Sequence, residues 1–220
     1  MYERGYIVAG DGNVSVRVGR DRVVVTPAGA HKGMLRPADL VLTDLRGVPL
    51  RGGSPSSEMR MHVEVYARRP EVRAVVHAHP PHVLAFSVAG QSLGQCILPE
   101  VVFALGRVAQ AGYATPTTSE VPRIIAEHVA RSNALILDRH GTLTLGEDLA
   151  AAFNRLETLE HTAKITWLAR ALGPIAPLPA EEVKRLHALA EGIGLQRAYP
   201  DCAGCDVCSG TETGGTTPSG

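Results

Sequence analysis

Three short β-branched runs sit within the first 45 residues, separated by turn residues, and they restrict the fold more than any other feature. Val14-Ser15-Val16-Arg17-Val18 alternates apolar and polar, as a half-buried strand does. Arg22-Val23-Val24-Val25-Thr26 is a more buried strand, and Leu40-Val41-Leu42-Thr43-Asp44 is a third, closed by a turn at Arg46-Gly47. Strands this short, joined by short turns, predict antiparallel hairpins. The texture then changes. Ser56 or Ser57 caps a helix from about Glu58 to Arg69, ended by Pro70. Val72 to His77 is a β-branched strand, Pro81 to Val88 a short helix, and residues 98–107 and 118–131 carry helical spacing. Ala134 to Leu137 is a buried strand, Leu149 to Leu172 a long helix, and Glu181 to Ile193 a last helix stopped by Gly192 and Gly194. Strands fall between helices without strict alternation. The expected fold is α/β: a three-layer α/β/α sandwich around one mainly antiparallel sheet.

The 220 residues suit one domain, placed at 1–195. Residues 196–220 are rich in Gly, Thr and Ser with almost nothing apolar, and are expected to form a flexible tail. Lys plus Arg and Asp plus Glu balance at 22 each, so no global field favours nucleic acid or an anionic membrane. No apolar run reaches spanning length, and the N-terminus lacks the pattern of a signal peptide. With Cys96 the one cysteine in the body, a disulfide framework is not expected, and the chain reads as cytoplasmic.

Val75-Val76-His77-Ala78-His79 carries the chemistry. Strand side chains alternate faces, so His77 and His79 project together from one face, at a strand end marked by Pro80-Pro81. His140 follows the buried strand 134–137 and precedes Gly141, again at a strand-end turn. Three neutral imidazoles with an open fourth position form a catalytic zinc site. Nine histidines in one chain also make a chance His-x-His unremarkable. The residues alone therefore leave a metal site and scattered histidines both open. His62, His128, His161 and His187 read as surface or packing histidines on helices, with His82 less settled because it lies just past His79. Glu58, at a helix start, reads either as a capping carboxylate or as a general base beside the metal. The turns Asp11-Gly12-Asn13 and Thr26-Pro27-Ala28-Gly29, with the hydroxyls of Ser56 and Ser57, offer anion-binding groups if the fold brings them together.

In order, Gly12-Asn13-Val14-Ser15-Val16-Arg17, Thr26-Pro27-Ala28-Gly29, Pro55-Ser56-Ser57-Glu58, His77-Ala78-His79 and His140-Gly141 resemble the class II aldolase/adducin family, especially its L-fuculose-phosphate aldolases. The resemblance covers roughly residues 5–195. It implies that His77, His79 and His140 bind one Zn²⁺ per chain, and that Glu58 binds the resting metal and serves as acid/base. It also implies that Gly12, Asn13, Gly29, Ser56 and Ser57 hold a substrate phosphate. The implied reaction is cleavage or formation of a C–C bond in a short ketose phosphate through an enediolate. Homotetramers with sites between subunits are implied as well. Glutamate rather than aspartate at position 58 favours aldolase over epimerase, but is shared with the methylthioribulose-phosphate dehydratases. A non-catalytic adducin-like binding domain is the reading from another class, and loss of the metal histidines would mark it. Two departures bear on the substrate. Leu98 to Phe103 lacks the family's tyrosine, leaving Glu100 as either a substitute proton donor or a helix-start carboxylate; and Ala28 replaces a threonine. Family members usually carry a further helix before the position of Met1. Cys202, Cys205 and Cys208 offer three thiolates for zinc or an iron–sulfur cluster, or are simply reactive thiols on a loose tail.

Overall fold

The computed structural model describes residues 1–192; the 196–220 tail with its three cysteines lies outside the described residues. Eight strands form one sheet: β1 Asn13–Val18, β2 Arg22–Val25, β3 Val41–Asp44, β4 Pro49–Arg51, β5 Ala74–Ala78, β6 Val108–Ala111, β7 Ala134–Leu137 and β8 Gly141–Gly146. Their order is β4-β3-β2-β1-β5-β8-β7-β6. Every neighbouring pair is antiparallel except β6 with β7. Among the described residues five α-helices complete the fold: α1 Met59–Arg68, α2 Pro81–Val88, α3 Glu120–Val129, α4 Leu149–Leu172 and α5 Ala180–Gly192.

The sheet is covered on both faces, as the sequence predicts. Alternation along β5 and β7 sorts the side chains. Val75, Leu135 and Leu137 pack with Met61 and Val65 of α1 and Val121 and Ile125 of α3. Ala74, Val76 and Ala78 meet Ala152 and Leu156 of α4, while Ala134 and Ile136 meet Leu159 and Ala163 of α4 with Val83 and Phe86 of α2. The central strand β5 is buried along its whole length, which explains its unbroken apolar run. The Asp148 carboxylate accepts the Ala151 N–H at 2.7 Å and starts α4.

The structure differs from the expected elements in three places. Residues 98–107 form a single π-helical turn, Val101–Leu105, ended by Gly106 at φ +61°; residues 108–111 are strand β6. Strands β4 and β8 are additional. In β1 the more buried side chains are the polar ones, Asn13 and Ser15, while Val14 and Val16 are only partly covered. That inversion is tied to the site.

Candidate metal centre and substrate cavity

Strand β5 delivers His77, and His79 just past its C-terminal end, to the α1 side of the sheet. His77 is completely buried, and its Nδ1 lies 2.9 Å from the Thr142 carbonyl of β8. A carbonyl only accepts, so Nδ1 carries the hydrogen and Nε2 presents a bare lone pair. His140 closes a three-residue turn between β7 and β8, with Arg139 at φ +55°. The turn is tight enough that a Cβ on Gly141 would sit 2.4 Å from the Ala78 carbonyl and 2.7 Å from the His79 ring. Only glycine admits this approach, which brings His140 beside the end of β5. The His77 ring centroid lies 4.9 Å from that of His79 and 4.8 Å from that of His140.

Glu58 comes from the adjacent layer. It is the N-cap residue of α1, yet its side chain makes no cap bond; its own backbone N–H reaches Ser56 Oγ at 3.3 Å instead. The carboxylate turns inward, with Oε2 3.2 Å from His77 Nε2 and Oε1 2.9 Å from His140 Nε2. Burial pushes its pKa up, but the adjoining imidazoles of His140 and His77 outweigh this and hold it well below the usual carboxylate range. Burial, reinforced by the neighbouring His77 and His140, lowers the His79 pKa to about 4.

This donor set fits a divalent cation. The His79 and His77 Nε2 atoms face each other at 3.1 Å. His77 commits its hydrogen to Nδ1, and His79 Nδ1 lies 3.5 Å from the Asp11 carboxylate, which favours the same tautomer. Two lone pairs opposed at that distance repel unless a positive centre lies between them. The three imidazole donor atoms fall within 4.8 Å of one another, close enough to converge on one ion.

Beside this cluster opens a cavity of about 260 Å³, lined by residues 10–13, 27–29 and 56–58 with Lys32, His79, Pro116, Thr117 and His140. The loops meet because the Pro27–Pro55 bridge ties them, with Ala28 N–H donating to the Ser54 carbonyl (3.1 Å) and Ser56 N–H to the Thr26 carbonyl (3.1 Å). Gly12, Asn13, Gly29, Ser56 and Ser57 therefore share one wall. Gly12 and Gly29 take φ of +64° and +66°. Glu100 is exposed and absent from this wall; the structure does not bring it to the cavity.

Three further contributors carry no mark in the sequence pattern. Lys32 points Nζ at the Gly10 carbonyl (2.7 Å) and the Ala30 carbonyl (3.0 Å), placing a cation in the wall. Thr117 holds φ +67°, an unfavourable backbone state for a β-branched residue that is found mainly at functional sites. His62, expected to be a surface or packing histidine, is fully buried and bonded to Asn13 and Ser15. His82 takes a structural place, its backbone N–H and Nδ1 held by the buried Glu160 carboxylate at 3.1 and 2.6 Å. A larger apolar hollow of about 500 Å³ between α2 and α4, beside Phe86 and Trp167, shares no wall with the site.

Residues 1–167 match the family described as Class II Aldolase and Adducin N-terminal domain. The chain belongs to that family. It is 36% identical over 166 residues to an L-fuculose phosphate aldolase of Methanococcus vannielii, covering 75% of this chain and 88% of the relative. It is 34% identical over 169 residues to a 3-oxo-tetronate 4-phosphate decarboxylase of Haemophilus influenzae, covering 75% and 80%. The solved structure of YgbL from Escherichia coli superposes with TM-score 0.78 at 32% identity, covering 84% of this chain and 91% of that one. The family expected from the ordered motifs and the three-layer fold expected from the pattern of strands and helices are therefore both present. The relatives are enzymes of this family that differ in reaction.

Proposed function

We propose that the chain is a zinc-dependent enzyme that breaks or forms a C–C bond next to a carbonyl in a short ketose phosphate. One observation carries this reading: the cluster of His77, His79, His140 and Glu58 opens directly onto a glycine- and serine-lined cavity containing Lys32. Three imidazoles leaving one position open suit Zn²⁺, which when bound would polarise a substrate oxygen and hold negative charge developing there. The remaining work belongs to the chain. Backbone N–H groups at Gly12 and Gly29, the Asn13 amide, the Ser56 and Ser57 hydroxyls and the Lys32 ammonium line the space where a phosphate binds. Glu58 is ionised at neutral pH and takes the proton released as the bond rearranges.

A decarboxylation of a 3-oxo acid phosphate is the second reading, supported by the Haemophilus influenzae relative. Both reactions break a bond β to a carbonyl and leave an enediolate, so one site serves either. A dehydratase or epimerase would instead conserve the carbon skeleton. The likeness to the family also supports a cytoplasmic homotetramer with sites between subunits, checked by light scattering. The domain is proposed to span 1–195.

The first test is elemental analysis of the wild type and His79→Ala, with ketose-phosphate and 3-oxo-acid-phosphate turnover followed on the same samples. About one zinc per chain, lost with activity in the variant, is expected. Cleavage of the ketose phosphate into a triose phosphate and an aldehyde assigns an aldolase, and release of CO₂ from the 3-oxo acid phosphate assigns a decarboxylase. Metal-free, inactive wild-type protein that metal does not restore would leave a non-catalytic, adducin-like binding domain.

A further inference from the structure

A continuous line of buried hydrogen bonds crosses the polar face of β1 and ends on Glu58. His62 of α1 is fully buried, with Nδ1 2.7 Å from Ser15 Oγ and Nε2 2.5 Å from Asn13 Oδ1. An amide oxygen only accepts, so Nε2 carries the hydrogen. Burial lowers the His62 pKa to about 3, so the ring is neutral and has one hydrogen to give. Nδ1 must then accept from the Ser15 hydroxyl, and Ser15 Oγ in turn accepts from the Tyr66 hydroxyl at 2.8 Å. At the other end, with Oδ1 engaged, the Asn13 amide presents Nδ2 to Glu58 Oε2 at 2.9 Å. The reversed amide would put an oxygen against the carboxylate. All donor directions along Tyr66, Ser15, His62, Asn13 and Glu58 thus agree.

Such a line is costly to place in a core. Ser15 and Asn13 occupy sheet positions that an apolar pair would fill with fewer demands, and a partly satisfied polar network is worse than none. Its two ends differ: the Tyr66 end is structural, whereas Asn13 both holds Glu58 and lines the cavity.

We propose that His62 is a positioning residue for Glu58, acting through Asn13: by fixing the amide's orientation it aims the carboxylate at the histidine cluster and ties that aim to the cavity wall. The proposal rests on the reading of Glu58 as the residue that moves the proton. A histidine present only to fill the core would affect folding and nothing else.

Two variants and one spectrum test it. His62→Phe keeps ring volume and removes the donor to Asn13. His62→Gln retains an N–H able to reach Asn13 Oδ1. Expected for His62→Phe is unchanged metal content, kcat reduced about 10- to 100-fold and KM altered less than about threefold. His62→Gln recovers most of that kcat. ¹⁵N-histidine NMR of the wild type shows His62 neutral and protonated on Nε2 near neutral pH. Wild-type kcat in a folded His62→Phe overturns the proposal, as does His62→Gln no better than His62→Phe, or an Nδ1-protonated His62. The spectrum needs no turnover and can still overturn the proposal if His62→Phe fails to fold, because an Nδ1 proton would break the bond to Asn13. It also separates this inference from the functional reading: inactive, metal-free wild type sinks the latter, while the tautomer reports on the hydrogen-bond line alone.

Discussion

Glu58 sits where helix capping and proton transfer make opposite demands on one side chain. A capping carboxylate faces the first turn of its own helix, yet Glu58 turns away from α1 and lies within 3.2 Å of two imidazoles. The sequence left both roles open because position alone does not fix χ angles; the neighbours on β5 and the β7–β8 turn decide them. Glu58→Gln keeps the shape and removes the base. We expect kcat to fall about 10²- to 10⁴-fold, measured by steady-state turnover alongside metal content. Lys32 invites a different outcome. It is a cation in the cavity wall whose burial lowers its pKa, so a phosphate gains more from it than from a fully solvated amine. Lys32→Ala should raise KM for a phosphorylated substrate about 10- to 100-fold with a smaller change in kcat. An unchanged KM would remove Lys32 from the phosphate site.

At the scale of elements, the β7–β8 hairpin matters most. His140 was readable as a strand-end histidine, but strand β8 was not, although Gly141-Thr-Leu-Thr-Leu-Gly146 alternates. All six residues are buried, so the alternation does not report a wet and a dry face. β6 was hidden for another reason: Val-Ala-Gln-Ala has weak strand preference and exists as a strand through pairing with β7. The helical spacing at 98–107 was real but spent in one wide turn, stopped by Gly106. The hairpin's tightness gives a direct test. Gly141→Ala drives a methyl into the Ala78 carbonyl and the His79 ring, so metal content and thermal stability should fall together. A stable variant with full metal content would show that the turn yields more than its geometry implies.

For the molecule as a whole, the sheet is a shared wall: its α4 face is aliphatic apart from Thr142 and Thr144 of β8, and its α1 face is aliphatic towards β7 but polar beneath the site. Leu135, fully buried between β7 and α3, belongs to the aliphatic part, and Leu135→Ala should cost about 2–5 kcal/mol in chemical denaturation. The polar part makes stability depend on pH. The folded pKa of His62 is about 3 against an ordinary 6.5, so the unfolded chain binds the extra proton first. Its contribution is fully present above about pH 6.5 and is lost progressively as pH falls toward 3. The melting temperature should therefore drop through that window, and more steeply in the wild type than in a folded His62→Phe. Equal slopes would show that other groups dominate. The ordered motifs determined the family, and periodicity determined the layers and most strands and helices, because both are local properties of the chain. The gathering of Gly12, Gly29, Ser56 and His140 around one cavity, the inward turn of Glu58, and the line from Tyr66 through His62 to Asn13 were decided only in the tertiary structure. Each depends on which strands neighbour β1 and β5, and strand order is a long-range choice that no local spacing encodes.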